Sequence, residues 1–432
     1  MNIILNKRKQ KNMPAPLAPP SAPIAPLAPS ATADLLAIAG NLLDSIDPLC
    51  YMNPQFEQDL VVDLCKMLTP YVNALGYAPS IVLEDLAEQA IELFYAYVAP
   101  PRSYDCTFNL PRHAPTIAQQ IEFLKNVPQP DQRTPEWYAF RHRYLTASSI
   151  WKAFGTTSSR NQLIYDKCRP HQADKYNGVS TESPMHWGQR YEPLSVMLYE
   201  LLNATQVSDF GCIPHPALSF LAASPDGINT LEASAKYGRM LEVKNIFNRD
   251  IDGVPKLEYW IQMQMQMEVC ALDECDFLET RFKEYDDEAA FKQDALDEDC
   301  WNRTCSGEHK GVILYFMQGD KPLYKYAPVS AEYQSFAVLA AWEEKTMEEH
   351  AHLSWMKTIY WRLDELSCVL VLRNQYWFAA AVPVLNDLWA TIEKEKVTGY
   401  AHRAPAKRKV AAPEEKKVEP EQKCYLDYRA LC

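Results

Sequence analysis

Two short stretches put acids at the ends of apolar runs: "FLAASPDGIN" at 220–229 and "RMLEVKN" at 239–245. Taken as a strand, the second alternates its side chains, so Met240, Glu242 and Lys244 share one face and Leu241 and Val243 the other. The leucine and valine hold such a strand in a core, and they force an acid and an ammonium to point at one spot. In the first stretch the same alternation sets Phe220, Ala222, Ser224 and Asp226 on one side before the "PDG" turn ends the strand. Two carboxylates and a lysine converging at strand ends suit metal-assisted phosphodiester cleavage. Asp226 and Glu242 would hold Mg²⁺, which takes oxygen ligands and often only one or two carboxylates. The ion would polarise a phosphate and acidify a water, while Lys244 would orient that water or neutralise transition-state charge. The plain alternative is a buried acid–lysine pair with no chemistry, because short patterns of this kind arise by chance.

Other residues bear on the choice. "YWIQMQMQMEV", 259–269, reads as a helix directly after the strand, with Gln262 and Gln266 one turn apart and Gln264 between them. Glutamines alternating with methionines are unusual for a core helix, although an amphipathic helix with solvated amides would also produce them. "HWGQRYEPLSVMLYELL", 186–202, reads as a second helix with Glu192 near its start, where a glutamate also suits the helix dipole. Upstream, "RTPEWYAFRHRYLTASSIWKAFG", 133–155, puts Trp137 and Arg141 on one helical face. Its "TASS" is an N-cap signal that gathers Thr146, Ser148 and backbone amides at a helix N-terminus, a ready anion site. With Arg141 beside it this would be a phosphate pocket; a capped helix with a surface arginine is the plainer possibility.

The elements that must position these residues belong to a chain of 432 residues, too long for one compact core. Residues 1–33 include a Pro/Ala-rich stretch expected to be a disordered spacer. Residues 34–98 carry apolar residues at helical spacing (Leu35, Ala39, Leu42 and Leu43; then Leu60, Val61, Leu64 and Leu68) and predict a small helical domain. Residues 99–130, rich in proline, read as a linker or strap. Residues 131–330 alternate helix and strand patterns and predict an α/β unit. Residues 331–400, rich in tryptophan, read as a mostly helical C-terminal region, and 401–432 as a disordered charged tail. No repeat of fixed period is present.

Composition narrows the classes. Apolar runs such as "FAAAVPVL" at 378–385 fall far short of the roughly 20 residues of a membrane span. The first residues lack the order of charges and apolar run of a secretory leader, so an intracellular protein is expected. The 12 cysteines are scattered without a C-x-x-C pair. Reduced, mostly buried thiols are therefore the simplest account, with an iron–sulfur cluster the alternative. The formal net charge of −13 argues against a nucleic-acid partner only as a sum. Residues 131–170 hold seven Lys/Arg against three Asp/Glu, whereas 279–299 hold nine acids against three bases.

An acid in "PD" followed at a distance by E-x-K matches the signature of the PD-(D/E)xK nucleases. In order, "RTPEWYAFR" with "LTAS", "GQRYEP", "SPDG", "LEVKN" and "YWIQMQMQM" resemble the YqaJ-type viral recombinases, the lambda-exonuclease-like branch of those nucleases, over roughly residues 133–330. The resemblance implies a restriction-endonuclease-like core, a mixed central sheet flanked by helices, with added helical N-terminal and C-terminal regions. It implies a Mg²⁺-dependent exonuclease (Mn²⁺ able to substitute) that acts on ends of double-stranded DNA. The strand carrying the 5′ end is degraded, and the remaining 3′ single strand serves recombination or viral genome processing. By this resemblance Asp226, Glu242 and the carbonyl of Val243 hold the metal, Lys244 is the catalytic lysine, and Glu192 and Gln262, with Gln264, line the active site. Arg141, Ser148 and Ser224 grip the terminal 5′-phosphate, joined by Arg249 through a one-residue shift in the "NIFNRD" segment. A single-strand annealing protein is the implied partner, and relatives form a ring of three subunits. The motifs leave the first 130 and last hundred residues unaccounted for, and the loop from Asp226 to Glu242 is longer than in the phage enzyme.

Two other functions fit the same residues. A structure- or sequence-selective endonuclease would share the acid and lysine cluster, with only the Arg141 and Ser148 pocket arguing against it. A DNA-end scaffold with a retired active site would account for the added helical regions. "PAKRKV" in the basic tail resembles a nuclear import signal, which leaves host cytoplasm and nucleus both open.

Overall fold

The computed structural model describes residues 29–76, 79–111, 113–171, 183–297, 300–330 and 335–405. Most of the Pro/Ala spacer and of the charged tail lies outside these residues. Where the expected spacer ends, Pro29 already opens the first helix, a position at which a missing N–H costs nothing.

Three helices come first: α1 (Pro29–Asp44), α2 (Phe56–Ala74) and α3 (Pro79–Tyr97). A strap follows, with the two-residue strand β1 (Tyr104–Asp105) and helix α4 (Ala114–Asn126). Next come α5 (Pro135–His142), β2 (Leu145–Thr146), the single turn α6 (Ala147–Ile150), α7 (Thr157–Cys168) and α8 (Pro184–Asn203). Five short strands lead into the next helix: β3 (Val207–Ser208), β4 (Ile213–Pro214), β5 (Leu221–Ala223), β6 (Gly227–Asn229) and β7 (Met240–Asn245), then α9 (Leu257–Cys270). The chain continues with β8 (Glu274–Glu284), α10 (Glu288–Gln293), β9 (Lys310–Gln318), β10 (Lys321–Tyr326), α11 (Phe336–Glu349), β11 (Ser354–Leu372) and α12 (Gln375–Thr398).

The main sheet is mixed and flanked by helices, in the order β10-β9-β11-β8-β7-β6-β3, with β1 added on β11. β7 and β8 run parallel, joined through α9, and the other pairs of this sheet are antiparallel. A second, small sheet of order β2-β5-β4 lies where the chain passes from the "LTAS" segment to the "SPDG" turn. β7 is a central strand: Leu241 is fully buried and Val243 nearly so, packed with Tyr199 and Leu278. That burial fixes the register that turns Glu242 and Lys244 together.

Three expectations about organisation need correction. The stretch 331–400 is not a helical region alone, because the 19-residue strand β11 runs between its two helices. Its first half pairs with β9 and its second half with β8, and Ile359, Trp361 and Leu363 are buried at every second residue. The central sheet therefore does not end near residue 330. The segment 99–130 is not a plain linker either: β1 joins the sheet and α4 buries Ile121 and Leu124. Nor do the N-terminal helices pack by themselves. Leu42, Leu64 and Leu86 belong to one apolar core with Trp260 of α9 and Trp377 and Leu385 of α12.

Polar groups bind the strap to this body. Arg102, buried, donates to the carbonyls of Tyr51 (2.7 Å) and Pro255 (2.9 Å), and its own carbonyl accepts from Trp260 Nε1. Arg239, wholly buried, pairs with Glu274 (2.7 Å) and Asp276 (2.9 Å) and also donates to the carbonyls of Cys106 and Phe108. A buried ion pair stripped of one partner leaves an uncompensated charge. Arg239→Met is expected to destabilise the protein by about 3–5 kcal/mol and to expose the strap. Denaturant titration and limited proteolysis within residues 99–113 would measure this, and a loss below about 1 kcal/mol would contradict it.

Candidate functional site

The site forms where the "SPDG" turn meets the end of β7. Gly227 opens β6 so close to β3 that a Cβ there would lie 2.1 Å from Val207 Cγ1. This tight entry leaves Asp226 at the lip of the strand. Asp226 Oδ2 accepts from the backbone N–H of Val243 at 2.9 Å, which fastens the turn to β7 between Glu242 and Lys244. Gln132 holds the turn from the other side, donating to the carbonyls of Pro225 and Phe210, both at 2.9 Å.

Glu242 has no solvent exposure. One of its oxygens pairs with Lys244 Nζ, and the other accepts from Gln266 Nε2 at 2.7 Å. Lys244 stands at the mouth, partly exposed, with its ammonium 5.0 Å from the ring centre of Tyr259. Glu192 projects from the third turn of α8, farther from the helix start than the sequence suggests, and pairs with Arg133 at 2.6 Å. Arg133 takes a left-handed backbone (φ 66°) just before α5, a conformation that a non-glycine residue adopts at a cost of roughly 1–2 kcal/mol.

The electrostatics of this cluster are those of crowded anions. Burial, then the charge of Asp226, pushes the Glu242 carboxyl up to about 7, against the pull of Lys244. The same two causes push Glu192 up to about 7, against Arg133 and Lys244. Lys244 is held above the ordinary lysine value, its burial outweighed by Glu242 and Asp226. Three carboxylates, with Asp226 acting on both of the others, face two cations, Lys244 and Arg133, and retain one excess negative charge, which a proton or a cation must offset. Among the described residues no group of three His, Cys, Asp or Glu side chains forms a ready metal cage. The oxygen groups that could hold a cation are instead the carboxylates of Asp226 and Glu242, with Glu192 in electrostatic reach and Val243 joined to Asp226 through its N–H. Such an all-oxygen set fits a hard cation that keeps several waters.

A candidate anion pocket adjoins the acids. Arg141 donates to Ser148 Oγ at 2.6 Å, and its guanidinium lies 4.0 Å from the centre of the Trp137 ring. Trp137 Nε1 in turn donates to Ser224 Oγ at 3.1 Å. The structure thus gathers Arg141, Ser148 and Ser224 around one indole. Gln266 ties this pocket to the acids, because its amide reaches both the Ser224 carbonyl (3.3 Å) and Glu242. Helix α6, which was to supply the N-terminus, is a single turn whose cap residue, Thr146, bonds to Ser149.

Not every expected residue meets the others. Arg249 lies on the Lys244 side, paired with the buried Glu279 and 5.7 Å from the Tyr259 ring centre. No contact joins it to Arg141, Ser148 or Ser224 among the described residues. The parallel register sets Glu279 beside Lys244, and that buried acid captures Arg249. Gln264 is a structural clamp, donating to the Leu372 carbonyl and accepting from the Asn374 N–H. Gln262 lies buried one turn before Gln266, and it is Gln266 that reaches Glu242. Helical spacing offered both glutamines; only the seating of α9 on β5 and β7 chooses. Arg133 and Tyr259 carried no sequence signal beyond their place in the quoted motifs.

Residues 136–273 match the model of the YqaJ-like viral recombinase domain, so the resemblance read from the motifs holds over that stretch. It contains every residue of the cluster except Gln132 and Arg133. The chain is also 28% identical, over 308 residues, to an uncharacterised protein of Acanthamoeba polyphaga mimivirus, a match covering 62% of this chain and 54% of that protein. The chain therefore spans about half the length of the curated relative it matches. Among solved structures, an alkaline exonuclease from Laribacter hongkongensis aligns with 18% identity and a TM-score of 0.34, over 61% of this chain and 97% of that one. A structure of that enzyme in complex with dAMP aligns with 20% identity and a TM-score of 0.31, over the same shares.

Crowding predicts a stability effect whose sign follows from the raised carboxyls. A folded-state value near 7, above the ordinary 4.5, means that the folded form holds more protons across that window. Metal-free stability from this group is present at low pH and lost as pH rises from about 4.5 to about 7. Glu242→Gln should therefore stabilise the metal-free protein at about pH 8 by about 1–3 kcal/mol and do little at about pH 5. Thermal melts in EDTA at both values would show it; destabilisation at both would contradict the crowding.

Proposed function

We propose that this chain is a divalent-metal-dependent deoxyribonuclease that degrades one strand of double-stranded DNA from a 5′-phosphorylated end. The single observation that carries this reading is the bridge made by Gln266. One amide holds the acid at the centre of the cluster and the backbone of the serine that faces the arginine pocket. An anchored terminal phosphate and a scissile phosphate at the acids would then be held at one fixed separation, as an enzyme that counts from an end requires. The YqaJ-like match over 136–273 supports the same class. On this reading β6, β7 and β8 with α8 and α9 form a restriction-endonuclease-like core.

Asp226 and Glu242, with the Val243 carbonyl, are the residues that would hold Mg²⁺ or Mn²⁺. When bound, the ion supplies a Lewis acid for the scissile phosphate and a water acidified towards neutral pH. Lys244, poised between Glu242 and the face of Tyr259, presents its ammonium to the charge that develops on the phosphate. Glu192 and Arg133 set the charge and orientation of the opposite wall. Arg141, Ser148 and Ser224 grip the terminal 5′-phosphate and thereby set polarity: each cut leaves a new 5′-phosphate that can occupy the same pocket. The remaining 3′ strand would pass to a single-strand annealing protein.

Linear duplex DNA labelled separately at each end is the test. With Mg²⁺ the strand carrying the 5′-phosphate should shorten, and EDTA should stop it. Lys244→Ala should lower the rate by at least about 10²-fold while DNA binding persists. Arg141→Ala should remove the advantage of a 5′-phosphate over a 5′-hydroxyl. Loss of label from 3′ ends would contradict the polarity, and nicking of covalently closed circles at a comparable rate would favour an endonuclease on the same scaffold.

A further inference from the structure

One buried cation near the anion pocket has no part in the chemistry described so far. Lys167, on α7, is 9% exposed, and its Nζ donates to the backbone carbonyl of Arg141 at 2.9 Å. Among the described residues it forms no ion pair. The neighbouring Asp166 is engaged with Arg169 at 3.2 Å. The groups that face Lys167 are mostly basic or neutral: Arg141 and His142 from α5, Cys212 from the segment before β4, Asp166 on its own helix and Lys396 from α12. The Cys212 thiol, itself buried, hydrogen-bonds with the Ser224 side chain. Lys167 thus holds the backbone of Arg141 on one side of the pocket and lies within electrostatic reach of Cys212, the partner of Ser224 on the other.

A buried ammonium without a carboxylate is unfavourable unless an anion arrives or the proton leaves. The first is what a phosphate pocket provides. A terminal phosphomonoester has a second pKa near 6 and is a dianion at neutral pH, whereas an internal phosphodiester carries a single charge. One arginine balances one charge; the second needs a second cation.

We propose that Lys167 is the second cation of this pocket, and that its charge makes the pocket select a terminal phosphomonoester over a 5′-hydroxyl end or an internal phosphodiester. Lys167 acts through its grip on the Arg141 backbone and its field, and is a positioning residue. The proposal rests on the phosphate-pocket reading above and adds its charge requirement. Burial, then the Arg141 charge, lowers the Lys167 ammonium to about 7 in the empty pocket. Docking of a dianion must raise it, so phosphate binding takes up a proton near neutral pH and weakens as pH rises.

The test compares binding of matched duplexes, with and without a 5′-phosphate, by fluorescence anisotropy in EDTA from about pH 6.5 to about pH 9. Taking the ratio of the two affinities cancels the titration of Glu192 and Glu242. In the wild type the preference for the phosphorylated end should fall with rising pH. Lys167→Gln should lower that preference by about tenfold at the acid end and leave it flat above the phosphate's own titration. Lys167→Arg, which keeps its charge, should hold the preference to about pH 9. A Lys167→Gln protein with the wild-type preference and profile would overturn the proposal while leaving the pocket reading intact. A wild type indifferent to the phosphate at every pH would overturn both. Should the glutamine variant not fold, calorimetry of the wild type in two buffers of different ionisation enthalpy decides. Proton uptake at about pH 8 with the phosphorylated duplex, and not with the hydroxyl one, supports the role of Lys167; none overturns it.

Discussion

A carboxylate buried beside other carboxylates has to be given a proton, an ammonium or a metal ion. That constraint organises this protein. Glu242 is fully enclosed, Asp226 is fastened to the backbone between Glu242 and Lys244, and Glu192 closes in from α8. Lys244 and Arg133 together cannot neutralise three acids. The fold accepts this unfavourable charge because apolar residues on the other face of β7, Leu241 and Val243, leave the strand no alternative register. Strain of this kind is characteristic of sites built to receive a cation and a substrate.

Around the acids the remaining structure acts as a clamp. Gln132 grips the "SPDG" turn, Gln266 joins that turn to Glu242, and Gln264 pins α9 to the chain that follows β11. Two of the three glutamines of α9 thus account for a pattern that looked odd for a core helix: Gln264 and Gln266 bond to backbone or carboxylate groups where water would otherwise be needed. The strap and N-terminal helices add rigidity behind this arrangement through Arg102 and Arg239.

Alternation within "LEVKN" was enough to turn Glu242 and Lys244 to one side, and the helical spacing of Trp137 and Arg141 anticipated their stacking. These are local facts, legible because strand and helix periods are local. What stayed hidden depends on partners far away in sequence. The strand β11 lies between two helices, and its tryptophans and leucines suit either structure; its pairing with β8 and β9, up to about a hundred residues upstream, makes it a strand. β1 is two residues long and exists only because β11 offers an edge. The choice of Gln266 over Gln262, and the capture of Arg249 by Glu279, follow from how α9 and β8 seat against β7. No periodicity encodes that seating.

The claim beneath all of this is that Asp226, Glu242 and their neighbours form a cation site, and titration of the protein with Mn²⁺ tests it most directly. Calorimetry at about pH 7.5 should show binding with release of protons, from carboxyls that hold them to about 7 in the metal-free form. Asp226→Asn should weaken that binding by at least about tenfold. Equal affinity in the two proteins, or binding with no protons released, would contradict the account.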